Sequence, residues 1–195
     1  MPPRSGGWLC LVESGRDGGR RRRPFASVPH RTSVGLADPL LAPPCDNRWV
    51  SDIGVRPASL GDAPAIAALT TQLGYPSAGE KIAERLAALI EDDRHAVFVA
   101  EHGGALVGWA HVADAPLLQD EPGAELEGIV VAEDARGSGV GRGLVGVAEV
   151  WARRRGLGVL RVRSRSTRED AHAFYRRLGF EDVKTSLVFA HRLDG

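Results

Sequence analysis

Four glycines at alternate positions, Gly137, Gly139, Gly141 and Gly143, follow Arg136 in the stretch from Glu127 to Leu144. Spacing of this kind lets consecutive backbone N–H groups converge on an anion with no Cβ atoms in the way. The apolar residues before Arg136 read as a buried strand, and those from Val140 onward open a helix. That helix adds unpaired N–H groups and roughly half a unit of positive charge at its start. Arg136 brings a full charge to the same place. Residues Arg136, Gly137, Ser138, Gly139, Val140, Gly141 and Arg142 therefore form a candidate phosphate cradle, suited to a pyrophosphate.

Three phosphate-binding patterns compete for this stretch. A P-loop needs a lysine after its last glycine, and the only lysines are Lys81 and Lys184. A dinucleotide G-x-G-x-x-G is spelled by Gly141, Gly143 and Gly146, but it begins too long after the strand. The position about twenty residues on carries Arg161 rather than a ribose-binding acid. The third pattern, R-x-x-G-x-G, is matched by Arg136, Gly139 and Gly141 directly after the apolar strand. It resembles the acetyl-CoA loop of the GNAT superfamily of N-acetyltransferases.

A second stretch, Arg168 to Phe180, is similar to the superfamily's N-x-x-A-x-x-x-Y-x-x-x-G-F signature, with Ala171, Tyr175, Gly179 and Phe180 in register. One helix and one strand separate it from the glycine loop, as in the family, and the resemblance covers residues 53–195. It implies acetyl-CoA as co-substrate and an amine as acceptor. Arg168 stands where the family has an asparagine that helps hold the pantetheine arm; an arginine there suits a CoA phosphate instead. The resemblance also implies that backbone groups around Ile129 and Val131 grip the pantetheine and polarise the acetyl carbonyl.

Making an amide from a thioester needs an uncharged amine, a held carbonyl and a proton for the leaving thiolate. An alkylammonium has a pKa near 10, so a base must act. Glu127, at the mouth-side end of the strand before the loop, is the first candidate. Glu125 is the second, since strand alternation sets both on one face. Strand acids equally often serve only in hydrogen bonds. Tyr175 is the candidate acid: a phenol keeps its proton at neutral pH and can give it to a thiolate. Its plainer reading is core packing beside Phe174. His111 is an alternative base, though a lone strand histidine is more often structural. His95, His102, His172 and His191 lack ligand spacing, so no metal is assigned. Without a G-x-S-x-G elbow or a cysteine in the core, direct transfer with sequential kinetics is expected.

With 195 residues, 43% of them apolar, the chain suits one soluble domain. No apolar window is long enough to span a membrane. The formal charge of zero hides segregation: residues 80–134 carry 13 acids and 3 bases, and residues 136–177 carry 11 arginines and 3 acids. An anionic cofactor and a cationic acceptor suit those halves. Cys10 and Cys45 both precede the core, so no disulfide framework is indicated and a cytoplasmic setting is the default. Residues 1–50 are rich in Pro, Gly, Ser and Arg, including Arg20–Arg23, and read as a disordered extension.

The domain over 53–195 must position these groups. Ile53–Pro57 reads as a strand. Ser59 and Asp62 resemble a capping box, followed by Ile66, Leu69 and Leu73 at helical spacing. Ser77 and Glu80 form a second capping box, ahead of Ile82, Leu86, Leu89 and Ile90. Ala96–Glu101 and Leu106–Ala113 flank a Gly103-Gly104 turn as a hairpin, and Leu126–Val131 is the strand before the loop. Val140, Leu144, Val147 and Trp151 line one helix face ending near Gly156. Val159–Arg163 is a strand, Thr167 with Asp170 caps a helix that stops at Gly179, and Val183–Leu193 supplies one or two final strands. The order β-α-α-β-β-β-α-β-α-β implies an α/β class, with a central mixed sheet flanked by about four helices and an antiparallel N-terminal portion.

The leading function is acetyl transfer from acetyl-CoA to a primary amine of a small molecule or protein. A CoA-binding sensor that lacks turnover is the alternative. Nucleic-acid binding ranks last, because Phe174 and Tyr175 are the only aromatics among the arginines from 153 to 177. Asp114, Asp120 and Glu121 favour a cationic amine. Dimers are frequent among relatives, and the oligomeric state stays open.

Overall fold

A computed structural model describes residues 53–72, 74, 75 and 77–193; the extension over 1–50 and the helical position Leu73 lie outside them. The elements run β1 (Ile53–Pro57), α1 (Ala63–Gln72), α2 (Gly79–Glu91), β2 (His95–His102), β3 (Ala105–Ala115), β4 (Gly123–Val131), α3 (Val140–Arg154), β5 (Val159–Val162) and α4 (Glu169–Arg177), with short 3₁₀ turns at Leu60–Asp62 and Glu133–Ala135. The strands form one sheet in the order β1-β2-β3-β4-β5. β1 to β4 pair antiparallel and β5 joins β4 in parallel, which is the mixed sheet the element order implies.

Alternation along the strands sends side chains to two different helical layers. Phe98, Ala100, Ala110, Val112, Ala124 and Leu126 pack against α3 through Val140, Leu144, Val145 and Ala148. Val97 and Val99 face the other way, onto Ile66, Ile82 and Leu86 of α1 and α2. The β2–β3 hairpin turns at Gly103 and Gly104, both at positive φ (57° and 80°), as a two-residue turn of the right-handed strand twist requires.

At the entrance to α1 the capping pair forms as expected. Asp62 accepts from the Ser59 backbone N–H at 2.7 Å and from the Ser59 hydroxyl at 2.9 Å. Its two oxygens also take both terminal nitrogens of Arg56, each at 2.8 Å. The same guanidinium reaches Glu101 Oε1 through Nε at 3.0 Å, tying β1 to β2.

Four expectations about local structure are corrected. α2 starts at Gly79 with Ala78 as its N-cap, and α4 starts at Glu169 with Arg168 as its N-cap; neither has a side-chain cap, so Ser77 and Thr167 do not cap. Each helix begins two residues after its polar residue, out of reach of the orphan N–H groups. Ile90 is exposed rather than on the buried face of α2, because that face is narrow and covered by Ile82, Leu86 and Leu89. Val183–Leu193 takes no helix or strand. A strand-like pattern becomes a strand only where a neighbour supplies the ladder, and the sheet among the described residues consists of β1 to β5.

Candidate active site

The two parallel strands are unequal, and that opens the site. β5 pairs with β4 only from Gly123 to Leu126, whereas β4 continues to Val131. Over Glu127–Val131 the β5 side of β4 has no strand partner among the described residues. Ile129 and Val131 lie in this half of the strand and pack their side chains on the α3 core. Backbone groups left unpaired at a strand edge want hydrogen-bond partners, and an extended amide-bearing chain can supply them.

At the far end of that edge stands the glycine loop. Gly137 and Gly139 adopt positive φ (81° and 99°), and Gly139 is the N-cap of α3. The first helical acceptor is Gly139 O, taken by the Gly143 N–H at 3.0 Å. The N–H groups of Val140, Gly141 and Arg142 come before any such acceptor, which leaves them for an anion. Ser138 is exposed and folds back on the preceding turn: both its N–H (3.4 Å) and its hydroxyl (2.6 Å) donate to Ala135 O. Arg136 is exposed, with Glu133 as a loose partner at 3.9 Å. Arg142 is also exposed.

Gly141 has a second duty. A Cβ there would stand 3.0 Å from Cζ of Phe174, so the missing side chain lets α4 close on the first turn of α3. Phe174 in turn contacts Tyr175 edge-on (ring centroids 5.2 Å apart), and Tyr175 contacts Phe180 at 5.5 Å. Burial pushes the Tyr175 phenol above its ordinary pKa, against a smaller opposing effect of Arg168. The hydroxyl therefore keeps its proton at neutral pH. Arg168, at the start of α4, is half-buried and stands 3.7 Å from Asp170.

The two candidate bases differ sharply. Glu125 is buried at 5% exposure, and Arg163 Nη2 lies 2.8 Å from its Oε2. Glu127 is exposed. A β-bulge separates their surroundings: His111 faces Gly128 on β4 and Val112 faces Leu126, so Glu127 is the extra residue. Bulges of this kind interrupt a ladder and re-aim a side chain.

Two features of this face escaped sequence reasoning. His95 Nδ1 and His111 Nε2 are 3.0 Å apart, although each looked solitary in the chain. Their similar distances from the Gly103-Gly104 turn carried the signal, since a hairpin brings such positions together. The other feature is a clasp: the guanidinium of Arg165 donates to the Tyr75 hydroxyl and lies 5.5 Å from that ring's centroid. It joins the α1–α2 connection to the segment after β5. Of the acids expected to attract a cation, Asp120 is paired with Arg161 at 2.9 Å.

A glycine-rich helix start thus stands beside a strand edge that opens away from its parallel neighbour. The acetyltransferase (GNAT) family model matches residues 65–180. The chain belongs to this family. It is 34% identical over 148 residues to the aminoglycoside N(6')-acetyltransferase type 1 of Stenotrophomonas maltophilia, covering 72% of this chain and 94% of that relative. Among solved structures, the aminoglycoside 6'-N-acetyltransferase AAC(6')-Ih from Acinetobacter baumannii superposes with a TM-score of 0.65 at 22% identity, over 73% of this chain and 99% of the other. AAC(6')-Iy in complex with the bisubstrate analogue CoA-S-monomethyl-acetylneamine gives a TM-score of 0.66 at 20% identity, over 73% and 99%. These likenesses make the fold that of GNAT enzymes, and the chain an acyltransferase of the N-acetyltransferase class. Among the described residues no helix is long and apolar enough to cross a membrane.

Proposed function

We propose that this GNAT enzyme transfers the acetyl group of acetyl-CoA to a primary amine of a small molecule or protein by direct attack in a ternary complex, in a cytoplasmic setting. The observation that carries this reading is the open half of β4 leading straight to the glycine-rich start of α3. Acetyl-CoA supplies the electrophilic thioester carbonyl. The N–H groups of Val140, Gly141 and Arg142, with Gly137 and Gly139 shaping the turn and Arg136 adding charge, hold the pyrophosphate. Ser138 supports the turn, and Arg168 serves a CoA phosphate. The backbone at Ile129 and Val131 pairs with the pantetheine arm.

Glu127 takes the amine's proton, directly or through water. Its exposed carboxylate is available, whereas Glu125 is buried and engaged by Arg163. Tyr175 donates to the departing thiolate, a role its half-buried and protonated phenol supports.

A cationic amine is the favoured acceptor class, in keeping with the acidic segment over 80–134 and with relatives named for aminoglycosides. The test is release of CoA from acetyl-CoA by the full chain across a panel of primary amines, followed with a thiol reagent. Turnover that is lost in Tyr175→Phe is expected. Thermal stabilisation by acetyl-CoA with no turnover on any amine would favour the sensor reading. Neither turnover nor stabilisation would overturn the cradle itself.

A further inference from the structure

We propose that His111 and His95 form a proton conduit that carries the acceptor's proton from β4 to a pocket beside α2. The inference rests on the acetyl-transfer reading and adds an exit route for the proton which that reaction sets free. His111 stands on β3 directly across from Gly128, next to the bulged Glu127. In antiparallel neighbours, facing residues are about 5 Å apart, so the base and the imidazole stand on adjoining strands at one level. From His111 the path crosses to β2 through the 3.0 Å contact with His95. His95 then lines an open pocket of about 430 Å³ together with Arg85, Ala88, Leu89 and Asp92. The far nitrogen of His95, Nε2, lies 3.9 Å from Asp92 Oδ2.

The proton balance closes without a further reactant. In the tautomer where His111 Nε2–H donates to His95 Nδ1, His111 Nδ1 is a free acceptor. A proton arriving there from Glu127 or its water releases the Nε2 proton to His95. The Nε2 proton of His95 then leaves to water in the pocket, and reorientation of both rings restores the starting tautomers before the next proton passes. The charged groups around the pair are Glu127 on β4, Arg85 on α2, and Asp92 with its partner Arg94 between α2 and β2. Burial and the neighbouring His95 pull His111 down to about 4, which keeps it neutral, so it takes a proton at Nδ1 only as its Nε2 proton passes on to His95.

Two imidazoles stacked only for packing would behave differently from a conduit. The experiment measures kcat at saturating acetyl-CoA and amine for the full-length chain and its His95→Ala and His111→Ala variants, with and without added imidazole. His95 borders the pocket, so its removal keeps the proposal testable even if His111→Ala does not fold. A conduit predicts that kcat falls about tenfold in His95→Ala and recovers as imidazole rises, while KM stays level. Methylated imidazoles of different pKa should rescue in proportion to their basicity. A kcat within about twofold of the parent, or a loss that imidazole does not restore, overturns the conduit and leaves acetyl transfer standing. A parent chain that releases no CoA with any amine overturns both.

Discussion

The Glu125 carboxylate lies 2.8 Å from the Arg163 guanidinium, across the last paired stretch of β4 and β5. This ion pair sits where the two strands begin to part, and it sorts the two strand acids into different tasks. Glu125 is buried and engaged, whereas Glu127 is on the bulge and exposed. Glu127→Gln is expected to lower kcat by about a hundredfold with little change in melting temperature. Glu125→Ala is expected to cost about 1–3 kcal/mol of stability. Steady-state rates and thermal melts on both variants check the assignment; the reverse pattern would exchange the roles.

Tyr175→Phe removes a proton donor and preserves the ring that contacts Phe174 and Phe180. Its kcat should fall by about ten- to a hundredfold while acetyl-CoA still raises the melting temperature as in the parent. Because burial holds the phenol above its ordinary value, the parent's rate should decline only at pH above about 10 through this group. A pH–rate profile in which Tyr175→Phe behaves as the parent throughout would remove Tyr175 from the chemistry.

Two glycine substitutions in and before α3 should have opposite signs. Gly139 sits at φ 99°, so Gly139→Ala is strained by about 1–2 kcal/mol and weakens acetyl-CoA binding. Gly146 lies within the helix with open space where a Cβ would go. Gly146→Ala should therefore stabilise by about 0.5–1 kcal/mol and leave binding unchanged. Denaturant melts with and without acetyl-CoA separate the two effects.

Acid should weaken the β1–α1 junction through Asp62. The Arg56 guanidinium and the Ser59 bonds hold this carboxyl below the usual range, with burial opposing them. A depressed carboxylate contributes its stability above its unfolded pKa near 3.9 and loses it as pH falls further. Asp62→Asn should thus be less stable than the parent at pH 7 by about 1–2 kcal/mol, the usual size for a lost cap and its bonds. The gap should narrow below about pH 4. Urea midpoints at pH 7 and 3 measure it.

His111 gives a separate slope. Its folded pKa of about 4 lies below the unfolded value of 6.5, so the unfolded chain binds the extra proton between those limits. Stability therefore rises with pH from about 4 to 6.5 and is level above. His111→Gln should flatten that slope, which a series of melts across the window would reveal.

Much of this protein is local, and local physics is legible in the chain. The glycines around Gly139, the Gly103-Gly104 turn, the Ser59–Asp62 cap and the apolar faces of α1 and α3 act over a few residues, so spacing and residue type suffice to foresee them. The family followed from two such stretches at the right separation. Tertiary structure decided what depends on partners distant in sequence. It set the bulge at Glu127, which only the register of β3 against β4 defines, and the claim of Arg163 on Glu125. It brought His95 to His111 and Arg165 to Tyr75, contacts that require a closed hairpin and folded loops. It also left Ser77 and Thr167 without capping roles, because a helix starts where packing and backbone direction allow, and a capping residue works only when that start falls beside it.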